Sequence, residues 1–266
     1  MSFSLATMAR RATNRRRRRV TFRPIIPTKA QGESLALVYI EALLPLRQRA
    51  ARLVAVYEKT LEQKLRTDSV DELSVEVDEI GAAMNRLVLQ LTPSLKRWTF
   101  RQEEWHRGKW RRNVLDAVSV SLETMIGPED MREMLGAFVE RNVALVRNVT
   151  DEARGRIADS VFRGFQRRAP AREIAKEIRE AADMARARSI RIAGDQTVKL
   201  ASALTRERRR QAQIEKWAWR HSGKLHFRQE HKDRDGNVYT DATAPADLPG
   251  ELPFCGCVEQ AVLDFE

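Results

Sequence analysis

The character of the chain changes once, near Lys216, and that change decides what it can fold into. From Ser34 to Lys216 apolar residues recur at helical spacings, and the strong breaks are few: Pro45, Pro93, Gly127-Pro128 and Pro170. After it, Gly223, Gly236, Pro245, Pro249, Gly250, Pro253 and Gly256 crowd into residues 217–266. A chain patterned this way cannot be one helical bundle from end to end. The expected fold is mainly α, with an elongated helical N-terminal region followed by a small α+β C-terminal module that contains a short β-hairpin. Three Tyr and twelve Gly argue against an all-β protein, and a hydrophobic share of 42% is enough for a real core.

Within the helical part, Leu35, Val38, Leu43, Leu46, Leu53, Val56 and Leu61 predict helix over 34–66, with Pro45 as a kink or boundary. A second helix is predicted over 70–91, capped by Asp68 or Ser69 and followed by Pro93. Residues 98–112 interleave Trp98, Trp105 and Trp110 with basic side chains. Such a stripe is either a core face with a solvated basic side or a docking surface, since Trp and Arg are favoured anchors. Further helices are predicted over 129–149, 151–165 and 171–182, then a long one over 183–216. Phe227, Val238 and Tyr239 suggest short strands, and Asp235-Gly236 a tight hairpin turn. This divides the chain into a disordered basic arm (1–30), a helical docking region (31–169) and a C-terminal domain (170–266).

The net charge of +11 is concentrated. Residues 1–30 hold nine basic residues (Arg10, Arg11, Arg15, Arg16, Arg17, Arg18, Arg19, Arg23 and Lys29) and no acidic ones, which leaves +2 for the other 236. Five consecutive arginines repel one another and do not bury, so the arm reads as a solvated tail or a phosphate-binding one. If seven or eight of these residues contact DNA, log affinity falls with log salt at a slope of roughly −6 to −7. The arm lacks the apolar stretch of a secretory signal, although its Arg-rich, acid-poor composition is shared with transit peptides. A second basic stretch spans 186–210: Arg186, Arg188, Arg191, Lys199, Arg206, Arg208, Arg209 and Arg210 against Asp195 and Glu207. It is a solvated helix face or a phosphate-facing one. Arg15 to Arg19, with Arg206, Arg208, Arg209 and Arg210, are the candidate DNA contacts. No run of eighteen apolar residues exists, so no membrane span is expected.

Cys255 and Cys257 are the two cysteines, too few for a disulfide framework. With His231, and with His221 or His226 as further donors, they make a possible zinc site that would staple a loop-rich module. The other reading is a packed strand with free thiols and a hydrogen-bonded histidine. Known catalytic patterns are missing. A zinc deaminase needs His-x-Glu and Pro-Cys-x-x-Cys. An EF-hand placed on Gly236 would begin at His231 and end at Ala242. There is no His-Glu-x-x-His, P-loop or Ser-His-Asp signature. No enzymatic activity is expected.

Several short motifs together carry one resemblance: Ile192-Ala193-Gly194-Asp195-Gln196-Thr197, Trp217-Ala218-Trp219-Arg220, Arg228-Gln229-Glu230-His231, Asp235-Gly236 and Pro253-Phe254-Cys255-Gly256-Cys257. In order and spacing, residues 170–260 resemble the C-terminal domain of the Mu F-like minor head proteins of tailed phages, the head morphogenesis family. Gly194 stands where the family commonly has Arg, His226 where Arg is commoner, and Lys224 where Asp is commoner. The resemblance implies structural roles for Asp195, Gln196, Trp219, Arg228, His231, Asp235, Gly236, Cys255 and Cys257, with Asp195 tying the long helix to the loop module. It implies a virion component inside the head near the portal vertex, present in few copies and made in the host cytoplasm. Portal protein, other head proteins and packaged double-stranded DNA would be its partners, and assembly, DNA packaging or ejection its role. The alternative is a nucleic-acid-binding protein outside any virion, using the arm and the 186–210 helix.

Overall fold

The computed structural model describes residues 3–12, 19–62, 68–127 and 129–265. In chain order the elements are α1 (Leu5–Ala12), β1 (Arg19–Thr21), α2 (Lys29–Glu41), α3 (Leu44–Glu62), α4 (Asp68–Gln90), α5 (Thr92–Val118), a 3₁₀ turn (Glu129–Met131), α6 (Arg132–Gln166), α7 (Ala171–Gln211), β2 (Lys216–Arg220), α8 (Gln229–Asp233), β3 (Val238–Tyr239) and β4 (Val258–Asp264). The fold is mainly α with a small β module, as the break near Lys216 predicts.

The prolines act where the backbone tolerates them. Pro45 and Pro93 are the second residues of α3 and α5, and Pro170 precedes α7. In the first turn of a helix the missing N–H has no intrahelical partner to lose. The helix predicted over 34–66 is therefore two helices, divided just before Pro45. Where no breaker intervenes, neighbouring predicted helices fuse. The segments 129–149 and 151–165 are the single α6, and 171–182 and 183–216 are the single 41-residue α7, which ends at Gln211. Both α6 and α7 close with a left-handed residue, Arg168 (φ 51°) and Gln213 (φ 52°). The Ala169 N–H reaches the Gly164 carbonyl at 2.9 Å and the Ile214 N–H reaches that of Arg209 at 3.0 Å, the Schellman closure without glycine.

The chain forms two compact units, each assembled from separated segments. One comprises Glu33–Lys96 and Val139–Ala193. Its core is a set of helical stripes: Leu46, Leu53 and Tyr57 of α3; Leu73, Val77, Ile80 and Met84 of α4; Val149, Ala153, Ile157 and Val161 of α6; Ile174, Ile178 and Ala181 of α7. Each recurs at steps of three, four or seven residues, which places it on one helix face. Tyr57 donates its buried hydroxyl to the Ala169 carbonyl at 2.9 Å.

The other unit comprises Met1–Gly32, Arg97–Phe138 and Gly194–Glu266. Its four-stranded antiparallel sheet has the order β1-β4-β2-β3. The register sets Val20 opposite Leu263, Trp217 opposite Ala261 and also Tyr239, and Trp219 opposite Glu259.

Here the expectation of a disordered arm over 1–30 is corrected for its described residues, 3–12 and 19–30. α1 buries Leu5 and Ala9, and the Phe3 N–H donates to the Gln211 carbonyl at 2.8 Å. β1 is an edge strand on β4, and Phe22 stacks on Trp110 with ring centroids 6.0 Å apart. The physical reason is period-two alternation: Val20 and Phe22 face inward while Arg19, Thr21 and Arg23 face out. Arg19, expected on DNA, pairs with Asp264 at 2.8 Å. Arg19 and Lys216 hold that carboxyl below the usual range. Arg15, Arg16, Arg17 and Arg18 lie outside the described residues.

The tryptophan stripe is mostly core. Trp98 and Trp110 are buried, and Trp98 stacks on Phe138 at 6.1 Å and donates to the Gln31 carbonyl. Trp105 is half-buried against the same unit's core. Among the described residues no helix is long and apolar enough to cross a membrane.

Candidate functional site

After β2 the chain runs through a loop to the short helix α8, whose His231 points inward and is buried. Cys255 and Cys257, just before β4, are buried as well. The His231 Nδ1 lies 3.4 Å from Cys255 Sγ and 3.7 Å from Cys257 Sγ. On the other side of the ring, His231 Nε2 lies 2.8 Å from Asp247 Oδ2, and Arg234 donates to Asp247 Oδ1 at 2.7 Å. Trp219 packs against the His231 ring with centroids 5.0 Å apart, and Arg234 lies over Trp219 at 5.1 Å. Burial pushes the Asp247 carboxyl up, but hydrogen bonds from His231 and Arg234 outweigh it and hold the group below the usual carboxylate range. The Cys255 thiol is drawn down to about 5, chiefly by a hydrogen bond from Cys257, whose own thiol the same interaction pushes up.

The segment that delivers the thiols is held from two sides. On α7, Asp195 Oδ1 accepts the Phe254 N–H at 2.6 Å, while Lys199 lies 3.2 Å from Asp195 and donates to the Glu251 carbonyl at 2.8 Å. From the loop, Arg228 donates to the Pro253 carbonyl at 3.2 Å. Asp195 thus ties the long helix to the loop module, at the backbone before Cys255 rather than at Arg228 or His231. Gln196 donates to Asp195 at 3.1 Å. Phe254 takes φ 61°, which turns the chain so that both thiols face His231.

β2 and β3 pair antiparallel as a hairpin would, but the tight turn predicted at Asp235-Gly236 needs correction. Gly236 has φ +83°, as its turn role requires, but it connects α8 to β3 rather than two adjacent strands. Its N–H donates to the Trp219 carbonyl at 2.8 Å, extending the β2–β3 pairing, and Asp235 accepts the His221 N–H at 2.9 Å. His231 therefore sits in a helix, and Cys255 and Cys257 precede a strand rather than lying in one. His221 and His226 do not join the cluster. His221 Nδ1 accepts the Gly223 N–H within its own loop, and His226 is exposed.

Two of the four α7 arginines expected to face phosphate, Arg208 and Arg209, are turned into the fold instead. Arg208 and Arg209 are each 1% exposed. Arg208 pairs with the buried Glu103, and burial lowers its pKa to about 10. Arg209 pairs with Glu259 and Asp241, and donates to the carbonyls of Ile214 at 2.8 Å and Glu215 at 3.3 Å. Arg206 bridges Glu259 at 2.7 Å and Glu251 at 2.8 Å, and the half-exposed Arg210 pairs with Asp241 at 3.0 Å. Buried charge demands a partner, and these residues find theirs inside the unit. Sequence reasoning missed Asp247, Glu259, Glu103 and Asp241, because nothing in local spacing marks an acid whose partner lies far along the chain.

Residues 155–260 match the family model described as Phage Mu protein F like protein. The C-terminal part of the chain is thus similar to the Phage Mu F-like proteins. The match runs from the second half of α6 through the whole of α7 and the buried His231–Cys255–Cys257 cluster to the middle of β4. The chain is also similar to a protein of Haemophilus influenzae described as uncharacterized, 28% identical over 137 residues. That similarity covers 51% of this chain and 31% of the relative, so the chain spans about a third of that protein's length. No solved structure matches the chain.

Proposed function

We propose that this chain is a minor head protein of a tailed phage or prophage, a structural component held inside the head at the portal vertex. The observation that carries this reading is the Phage Mu F-like match over 155–260. The matched span includes polar motif residues that hold the fold together: Asp195 and Arg228 anchor the segment before Cys255, and Trp219 packs on His231. Residues with such roles suit a scaffold that docks on other head proteins, and the reading gives the chain no catalytic step. Its partners are the portal and neighbouring head proteins, and its work is in assembly and in packaging or ejecting DNA. Packaged DNA would be met by Arg15 to Arg18.

The alternative of a nucleic-acid-binding protein outside a virion is less well supported. Its second site, the 186–210 helix, included Arg206, Arg208, Arg209 and Arg210, and the first three of these are engaged in ion pairs within the unit and little exposed. The test is a tagged copy of the chain expressed during phage growth, followed by gradient purification of heads and quantitative mass spectrometry. Copurification with heads and portal in a low fixed ratio is expected. A chain found wholly in the free-protein fraction while heads assemble around it would overturn the assignment.

A further inference from the structure

We infer that His231, Cys255 and Cys257 bind one zinc ion, with Asp247 orienting the histidine.

The first ground is distance. Around a tetrahedral zinc with Zn–S of about 2.3 Å and Zn–N of about 2.05 Å, a sulfur and a nitrogen ligand lie about 3.6 Å apart. The two S···Nδ1 separations here are 3.4 and 3.7 Å. All three donor atoms lie within 4.8 Å of one another.

The second ground is the direction of the lone pair. Asp247 faces His231 Nε2 at 2.8 Å as a carboxylate acceptor whose other oxygen is held by Arg234, so the Nε2-protonated tautomer satisfies that contact. This leaves Nδ1 with its single in-plane lone pair facing both sulfurs. One lone pair accepts one S–H hydrogen bond well, not two. A lone pair within 3.7 Å of two sulfurs is the arrangement a cation satisfies. A carboxylate hydrogen-bonded to the remote nitrogen of a ligating histidine is also the usual outer support of a zinc site, fixing tautomer and ring orientation.

The third ground is charge. Two thiolates, one neutral imidazole and Zn²⁺ sum to zero, which a buried site tolerates, whereas two buried thiolates alone do not. Thiolate and imidazole donors select zinc over calcium or magnesium.

Tight packing holds the Cys-x-Cys segment in place. A Cβ on Gly256 would come within 2.8 Å of the Ser222 Cβ and of the Lys224 side chain, so any larger residue between the ligands would force the Ser222 segment to shift. Among the described residues no further His, Cys, Asp or Glu joins the three donors. These side chains thus supply three of the four positions of a tetrahedral site. The ion would link α8 to the segment before β4, stapling a region rich in loops.

The test uses the full chain purified without chelator under reducing conditions. About one zinc per chain by elemental analysis is expected. Exchange for Co²⁺ should give thiolate-to-cobalt charge-transfer absorption and the intense visible bands of a tetrahedral site. Cys257→Ser should lose the charge-transfer intensity of one thiolate and the stoichiometric zinc. Asp247→Asn keeps all three ligands and should bind with about 10- to 100-fold weaker affinity. A wild-type protein whose tryptophan fluorescence shows it folded, but which carries no metal and develops no charge-transfer band with Co²⁺, would overturn the inference. So would zinc that survives Cys257→Ser unchanged.

Discussion

Arg209→Met is the sharpest perturbation for separating a stitched helix from a DNA-facing one. The guanidinium side chain is 2% exposed. Its removal leaves Glu259, 1% exposed, with Arg206 as remaining partner, and strands the Ile214 carbonyl beyond the end of α7. Breaking a buried pair costs about 3–5 kcal/mol, and the surviving Arg206 places this case at the lower end. An unsatisfied buried carbonyl adds about 1 kcal/mol or more. Asp241 loses little, being 47% exposed and still paired with Arg210. The expected cost is about 4 kcal/mol, a fall in melting temperature of about 8–16 °C for a unit of this size. All five tryptophans (Trp98, Trp105, Trp110, Trp217 and Trp219) belong to this unit, so tryptophan fluorescence against urea reports its unfolding selectively. Arg210→Ala, an exposed pair, is the control and should cost under about 1 kcal/mol. If Arg209→Met unfolds no more readily than Arg210→Ala, or weakens DNA binding without changing stability, the structural assignment is wrong.

Four further outcomes are expected. Replacing Arg15 to Arg18 with serine should remove non-specific duplex binding. The parent's log–log salt slope should be roughly −3 to −4, for four phosphate contacts rather than eight, and a slope near −7 would mean that Arg19 and the α7 arginines bind DNA as well. Leu5→Ala should destabilise the tryptophan-bearing unit by about 2–5 kcal/mol, because Leu5 is fully buried; no change in the urea midpoint would restore the solvated arm. Burial, then repulsion from Arg208, pushes the His106 pKa well below its ordinary value, so the folded state disfavours the proton that the unfolded chain binds near pH 6.5. Stability should therefore fall as pH drops below about 6.5, by up to about 1.4 kcal/mol per pH unit from this residue, and His106→Gln should flatten that dependence. Gly236→Ala meets no atom within 4 Å, so its cost is backbone strain alone at φ +83°, about 1–2 kcal/mol, read from the same urea transition.

Much of the helical architecture is legible in the sequence because helix burial repeats locally. The spacing of Leu73, Val77, Ile80 and Met84 announces α4, and Pro45, Pro93 and Pro170 mark helix starts. The edge strand β1 was legible too, in the alternation of Val20 and Phe22 with polar neighbours, but five consecutive arginines dominate that stretch. The buried cluster was half legible. His231, Cys255 and Cys257 stand out by residue type, whereas Asp247 is one acid in a loop, identified only when the fold brings it to 2.8 Å from the imidazole.

The basic face of α7 shows why such gaps arise. Counted along the chain, 186–210 is a run of positive charge with two acids in it. Counted through space, Lys199 has Asp195, Arg206 has Glu251 and Glu259, Arg208 has Glu103, and Arg209 and Arg210 share Asp241. Except for Asp195, these acids come from α5, β4 and the loops, 31 to 105 residues away. Coulomb attraction depends on distance in space, so a linear charge count cannot distinguish a ligand-facing helix from one wired into its own domain. Residue type offers a partial guide. Arginine's planar fork suits several acceptors at once better than lysine's point charge, and Arg209 here serves two carboxylates and two carbonyls. A cluster of arginines at the end of a long helix, just before a loop-rich module, is therefore as much a signature of helix-to-module attachment as of phosphate binding.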